Sequence, residues 1–239
     1  MPAPAQTRAW PIPVLLSFVA AYVDTVGFVA LFGLFTSHVT GNFVLIGATL
    51  AHHDGHAGTG LVTKLLALPT FAAAVALTTL AIRRREAGGH AVAGPVILWQ
   101  AVWTLAFLLL GWHASPIADP DAAAAMLAGL IGVAAMAVQN TASRIVFSKL
   151  APTTVMTGNV TQVVIDGVDL LRGLPAEAAA VTRARAARMA PPVVAFAVGA
   201  IGGALVFRAA GFAALVVPLA ALLAVAWRLP REVPALPAA

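Results

Sequence analysis

The sequence predicts an all-α integral membrane protein: six transmembrane helices plus two short re-entrant half-helices, arranged as a 3+3 inverted repeat. Three observations carry that expectation. They are an apolar composition, a set of apolar runs of two distinct lengths, and a phrase, TGN, that occurs once in each half of the chain. Of the 239 residues, 61% are hydrophobic and 10% are charged, with a mean hydropathy of +0.93. A soluble domain is about 45–50% apolar and about 25% charged. Water cannot hide this much apolar surface on a chain of this size, so the solvent must be lipid.

A helix needs about 20 mostly apolar residues to cross a hydrocarbon core about 30 Å thick. Six runs come close to that standard: 11–35, 61–82, 92–112, 122–147, 189–207 and 210–228. Two shorter ones remain, 38–51 and 155–171. Each carries TGN near its start, and the second is interrupted by Asp166, Gly167 and Asp169. The first run is too long for a signal-peptide core and contains Asp24, so it reads as a retained span.

Charge decides whether the short runs cross. Were all eight segments to cross, with Arg8 cytoplasmic, then Arg83, Arg84 and Arg85 would lie outside, against the positive-inside rule. If the two TGN segments enter and return on one side, those arginines fall inside. So do Arg172, Arg183, Arg185 and Arg188, read as one loop, and Arg228 and Arg231. The Asp119–Asp121 loop then falls outside, with both termini cytoplasmic. Arg208 and Lys64 are the two charges that disagree. Edge arginines also account for the net charge of +5 and the pI near 11.1 without nucleic acid as a partner.

The halves align. AYVDTVG (21–27) lies over AVQNTAS (137–143), and after a one-residue gap SHVTGNF (37–43) lies over TVMTGNV (154–160). The chain is thus one membrane domain, 1–239, with a first repeat over 11–112 and a second over 122–228. Three crossings per half is an odd number, so the second repeat is inserted upside down, a pattern of transporters. Non-helical backbone at membrane depth is tolerated where it lines a polar cavity or is buried in protein. Thr40-Gly41-Asn42 and Thr157-Gly158-Asn159 therefore read as caps of two half-helices pointing to the midplane, where dipole ends and open N–H groups suit an anion. The alternative is that TGN merely caps two short interfacial helices.

Asp24 lies halfway along the first span, where an aspartate costs about 2.5–3.5 kcal/mol on the insertion scale. Its counterpart in the second half is the neutral isostere Asn140. An acid opposite an amide suits proton coupling or cation binding at Asp24, or else a packing lock. Asn140 and Arg144 share a helix face, with Arg144 free to snorkel at the edge. Gln162, Asp166 and Asp169 share another face, lining a vestibule or facing solvent. His52, His53, Asp54 and His56 form a histidine-rich stretch that reads as a solvated loop rather than a metal site. Gly199 and Gly203 form a GxxxG for close helix contact within the bundle or between subunits, so a homo-oligomer stays open. Trp10, Trp112 and Trp227 sit where interfacial anchors belong.

The chain has no cysteine, so thiol chemistry, disulfides and cysteine metal sites are excluded. It carries no HExxH, GxSxG, P-loop or GxGxxG signature, and it is not expected to be an enzyme or to hold a cofactor. AAYVDTVGF (20–28), LFTSHVTGNFVLIG (34–47), AVQNTASR (137–144) and TTVMTGNVTQ (153–162) resemble a family of bacterial transmembrane proteins typified by YoaK, a domain of unknown function. The resemblance covers nearly the whole chain and implies a multi-spanning inner-membrane protein, with no substrate attached. The expected function is a small secondary transporter of a small polar or anionic solute, with Asp24 available for proton coupling. Its site would be formed by Asp24, Thr40, Gly41, Asn42, Asn140, Thr157, Gly158, Asn159 and Gln162. A passive channel and a non-transporting scaffold or accessory subunit are the alternatives.

Overall fold

The computed structural model describes residues 11–51, 59–154 and 156–229, and the described residues form helices and no strand. In chain order these are α1 (Pro11–Ala30), α2 (Gly41–Ala51), α3 (Leu61–Ala87), α4 (Ala93–Ala114), α5 (Ala123–Ile145), α6 (Met156–Arg172) and α7 (Ala176–Ala210). A 3-10 turn (Gly211–Leu215) then leads into α8 (Val216–Arg228). Arg8, Trp10, Arg231 and the His52–His56 stretch lie outside the described residues.

The apolar side chains sort as a lipid solvent requires. On α4, Leu98, Val102, Leu105 and Leu109 are exposed along one stripe, while Ile97, Gln100, Thr104 and Phe107 of the opposite stripe are buried. On α7, Val194, Val198, Ile201 and Leu205 repeat the same outward spacing. An apolar groove of about 530 Å³ between α1 and α7, lined in part by Val14, Phe18, Pro191 and Val194, opens on this side. Among the described residues, five helical segments are long and apolar enough to cross a membrane: α1, α3, α4, α5 and the stretch from Ala176 to Arg228. This is a multi-pass helical membrane protein.

Two elements differ from expectation. The helix expected at 189–207 begins at Ala176, so Arg183, Arg185 and Arg188 are helical rather than loop residues. Alanine-rich sequence from 176 to 190 favours helix strongly enough to extend it. Pro191 and Pro192 sit inside α7 where the arginine-rich part gives way to the apolar part. The run expected at 210–228 is a 3-10 turn followed by only 13 helical residues. Gly211, with φ of 56°, ends α7, and the ring of Phe212 fills the place where a side chain on Gly111 would stand.

The GxxxG of α7 is used within the bundle. A Cβ on Gly199 would stand 2.4 Å from the Phe18 carbonyl oxygen, and one on Gly203 would stand 2.8 Å from that of Tyr22. The α1 and α7 backbones are therefore in direct contact through these two glycines. Among α1–α8, the other main pairings are α3 with α5, α4 with α5, α1 with α8, α2 with α3, α6 with α7, α4 with α8 and α1 with α5. Exchanging α1 for α5, α2 for α6, α3 for α7 and α4 for α8 returns the same set of pairs.

Charged residues tie the connections at one end. The Lys64 ammonium is buried and donates to the carbonyl oxygen of Phe32 (2.8 Å) and to that of Thr59. The chain between α1 and α3 thus leaves and returns at the same end of the bundle, opposite Arg83–Arg85. Lys64 fitted the charge rule poorly because it serves backbone carbonyls rather than the membrane surface. Asp121, in the α4–α5 connection, accepts from Thr63 N (2.8 Å), Thr63 Oγ1 (2.8 Å) and Val62 N (3.2 Å), capping α3 from another loop. Burial pushes its carboxyl up, but these bonds and the Lys64 charge outweigh burial and hold it below the ordinary carboxylate value.

Candidate functional site

The site grows from two loops that turn back into the bundle. After α1, Phe32 (φ 52°) and Gly33 (φ 89°) adopt left-handed backbone and reverse the chain. The chain then descends beside the helix it has just left. Asp24, six residues before the end of α1, meets it there. Its Oδ1 accepts from Thr36 N (2.7 Å), Ser37 N (2.7 Å) and Thr36 Oγ1 (3.2 Å), and its Oδ2 lies 2.6 Å from His38 Nδ1. Asp24 is only 6% exposed, and these four contacts compensate its removal from water. A side chain on Gly27 would push Thr36 away, which is why the loop can lie so close to α1.

The asparagine of TGN holds the same loop from its other side. Asn42 Oδ1 accepts from Phe35 N (2.9 Å), and Asn42 Nδ2 donates to Phe35 O (2.9 Å), so both ends of the amide are used. The second half repeats the design. Asn159 Nδ2 donates to Pro152 O (2.8 Å), again seven residues back. Pro152 has no N–H to return. Asn140 Oδ1 accepts from Thr154 Oγ1 (2.7 Å), and its Nδ2 donates to Met136 O (3.0 Å) one turn below. The acid of the first half thus takes all its bonds from the loop, while the amide of the second divides its bonds between loop and helix.

The two loops meet at His38. Its ring is hydrogen-bonded to Asp24 and lies beside the Thr154 backbone of the second half. The Phe196 ring of α7 packs edge-on against it, centroids 5.7 Å apart. Beside Thr154, Thr153 continues the polar layer into the bundle: Gln139 Nε2 donates to Leu16 O (2.7 Å) and to Thr153 Oγ1 (3.3 Å), and Gln100 Nε2 donates to Gln139 Oε1 (2.6 Å). Ser17, Ser37 and Gln100 each keep a buried side-chain oxygen with no partner among the described residues.

The residues expected from sequence fall into four groups. Asp24 and Asn140 are both part of this junction. Asn42 and Asn159 are buried beside it and fix its loops. Thr40, Thr157 and Gly158 are exposed and Gly41 is half-buried, so the junction is built one step upstream of the TGN phrases. Thr157, Gly158 and Asn159 also lie inside α6, which starts at Met156, rather than ahead of it. The first three N–H groups of α2 are bonded to its own approach, to His38 O, Val39 O and Thr40 O. The open-ended anion cradle expected at this helix end is therefore already filled by backbone.

Gln162 has a different place. It donates to Asp166 Oδ1 (2.8 Å), and Arg185 Nη2 donates to the same oxygen at 2.5 Å, with Arg185 Nε 3.0 Å from Oδ2. Asp166 is fully buried, so this is an internal clamp between α6 and α7 rather than a solvated face. The histidine-rich stretch His52–His56 is not among the described residues, which bring no metal-binding trio together.

His38, Thr36, Gln100, Thr153 and Thr154 were not expected at the site. A signal existed for His38, which stands two residues before Thr40. Its partner is 14 residues back along the chain, and nothing in the spacing fixes that the loop reverses. No curated protein and no solved structure matches the chain. Residues 12–227, nearly the whole length, match a family described as "protein of unknown function", DUF1275, and the chain belongs to that family.

Proposed function

We propose that the protein is a small secondary transporter of a small polar or anionic solute, built as a 3+3 inverted repeat with its site where the halves meet. The observation that supports it most is the polar junction itself. Asp24 and His38 from the first half lie against Thr154 and Asn140 from the second, inside a bundle whose pairings survive exchange of the halves. Transporters of this design place their sites at the repeat interface near the bilayer midplane, between discontinuous helices. In this reading α2 and α6 are half-helices that enter and return, six segments cross, and both termini are cytoplasmic in a bacterial inner membrane. Asp24 is the group that makes proton coupling available, because it is the acid at the junction. Asn42 and Asn159 shape the site from behind.

The scaffold alternative loses its strongest feature, since Gly199 and Gly203 are occupied by α1 and do not offer a face to another subunit. A passive channel differs by moving solute without protons. Reconstitution into proteoliposomes carrying an internal pH dye separates the three. Small carboxylates, amino acids, polyols and inorganic anions are added in turn. A solute that moves together with protons, with coupling lost and flux retained in Asp24→Asn, is the expected result. Flux with no pH change means a channel, and no flux of any of them leaves the scaffold.

A further inference from the structure

We infer that the groove between α1 and α7 holds an acyl chain of an anionic phospholipid, with the lipid phosphate against Arg188 and Arg183 at its mouth. The inference rests on the membrane-spanning bundle alone and stands or falls apart from transport.

The groove, about 530 Å³, begins where α7 passes from its arginine-rich part to its apolar part. Its α7 wall runs from Ala190 to Val198 and its α1 wall from Val14 to Phe18. The two helices run parallel, since Gly199 meets Phe18 and Gly203 meets Tyr22. At about 1.5 Å per residue, the α7 wall spans about 12 Å, most of one leaflet of a core about 30 Å thick. Each lining residue is apolar, and Val194 and Val198 are 62% and 55% exposed. Such walls offer water no partner, and the medium outside them is hydrocarbon.

At the mouth the chemistry changes. Arg188 stands three residues before Pro191, about 4.5 Å along the helix axis. Ala184 and Ala187 continue the stripe that lines the groove, and Arg183 and Arg188 border that stripe on either side. All four are exposed. Neither arginine has an ion pair or hydrogen bond among the described residues, whereas Arg185 between them is held by Asp166. Pro191 and Pro192 bring no N–H, so the carbonyls of Ala187 and Arg188 lose their usual helical donors. The mouth therefore presents two cations and two under-used acceptors at the head of an apolar slot. A phosphate diester with hydroxyl groups beside it, carried on a hydrocarbon chain, matches all three features; basic pockets between spanning helices bind such headgroups. A second copy fits poorly. Two-fold pairing through the groove would set the arginines of one copy beside those of the other. The small residues that let helices approach, Gly199 and Gly203, already face α1.

The test uses the full chain, purified in detergent and stripped of lipid. Native mass spectrometry follows its titration with dioleoyl phosphatidylglycerol and, separately, dioleoyl phosphatidylcholine, which differ in the headgroup alone. One phosphatidylglycerol per chain should be retained, favoured about 25-fold, since each arginine near a lipid headgroup contributes about five-fold. Arg183→Gln combined with Arg188→Gln should bring phosphatidylglycerol down to the level of phosphatidylcholine. Val194→Trp, which fills the groove from its lipid side, should weaken retention of both lipids. Leu98→Trp, on the exposed stripe of α4, should weaken neither. All four substituted residues are exposed, so the fold does not depend on them. Equal retention of the two lipids, a preference that outlives the arginine pair, or retention untouched by Val194→Trp overturns the inference. Full displacement by glycerol phosphate would reduce the arginines to a plain anion site and overturn it as well. A dimer that Val194→Trp splits would give the groove to a second copy instead.

Discussion

At the scale of single residues, polar side chains in this protein mostly serve backbone. Asn42 binds Phe35, Lys64 binds Phe32 and Thr59, and Asp121 binds Thr63 and Val62. Asp121 yields a prediction because its protonation can be followed outside the apolar core. Its folded carboxyl is held below the ordinary value, so its stabilisation is fully present above about pH 4, the ordinary aspartate range, and is lost as pH falls through the depressed folded value. Asp121→Ala should cost about 0.5–2 kcal/mol at neutral pH, the range for losing a helix cap. Thermal unfolding in detergent should show the gap between the two proteins closing on acidification. A gap that is constant with pH would mean the carboxylate charge contributes nothing to the cap.

At the scale of elements, the two TGN helices are alike in sequence and unlike in packing. A Cβ on Gly41 would stand 2.8 Å from the Phe35 ring, whereas one on Gly158 meets nothing within 4 Å. Gly41→Ala should therefore destabilise the protein by about 1–3 kcal/mol, as overpacking does. Gly158→Ala should be neutral or raise stability by up to about 1 kcal/mol, as alanine does within a helix. Equal effects on unfolding would refute the packing account. This asymmetry was not legible in the sequence, because it depends on where Phe35 turns after the loop reverses. The spans were legible where one stripe of a helix is apolar enough for lipid, as in α4, or where the helix is apolar all round and buried, as in α5. The start of α7 was misjudged because hydropathy marks the membrane boundary, while alanine propensity carried the helix 13 residues beyond it. Asp24 stood out as a costly residue in a span. What stabilises it did not, since all four of its bonds come from loop residues whose own spacing is unremarkable in any turn.

For the whole molecule, the exchange of pairings predicts a definite sidedness. Single cysteines at Ala118, in the α4–α5 connection, and at Ala87 and Ala176, at the opposite end, all replace exposed residues. An impermeant thiol reagent on intact cells should label Ala118→Cys alone, with the other two reached after permeabilisation. Labelling of Ala87→Cys from outside would reverse the orientation drawn from Arg83–Arg85, and labelling of all three would break the six-span reading. The two halves are nevertheless not mirror copies in strength. Among the described residues, Asn42 makes two hydrogen bonds with Phe35, while Asn159 makes one with the corresponding Pro152, which brings no amide hydrogen. At about 1 kcal/mol net per bond, the Asn159–Pro152 tie taken alone should open about five-fold more often than the Asn42–Phe35 tie, which hydrogen exchange can check. Two halves drawn to one plan are thus fastened unequally, and the second is the one expected to breathe.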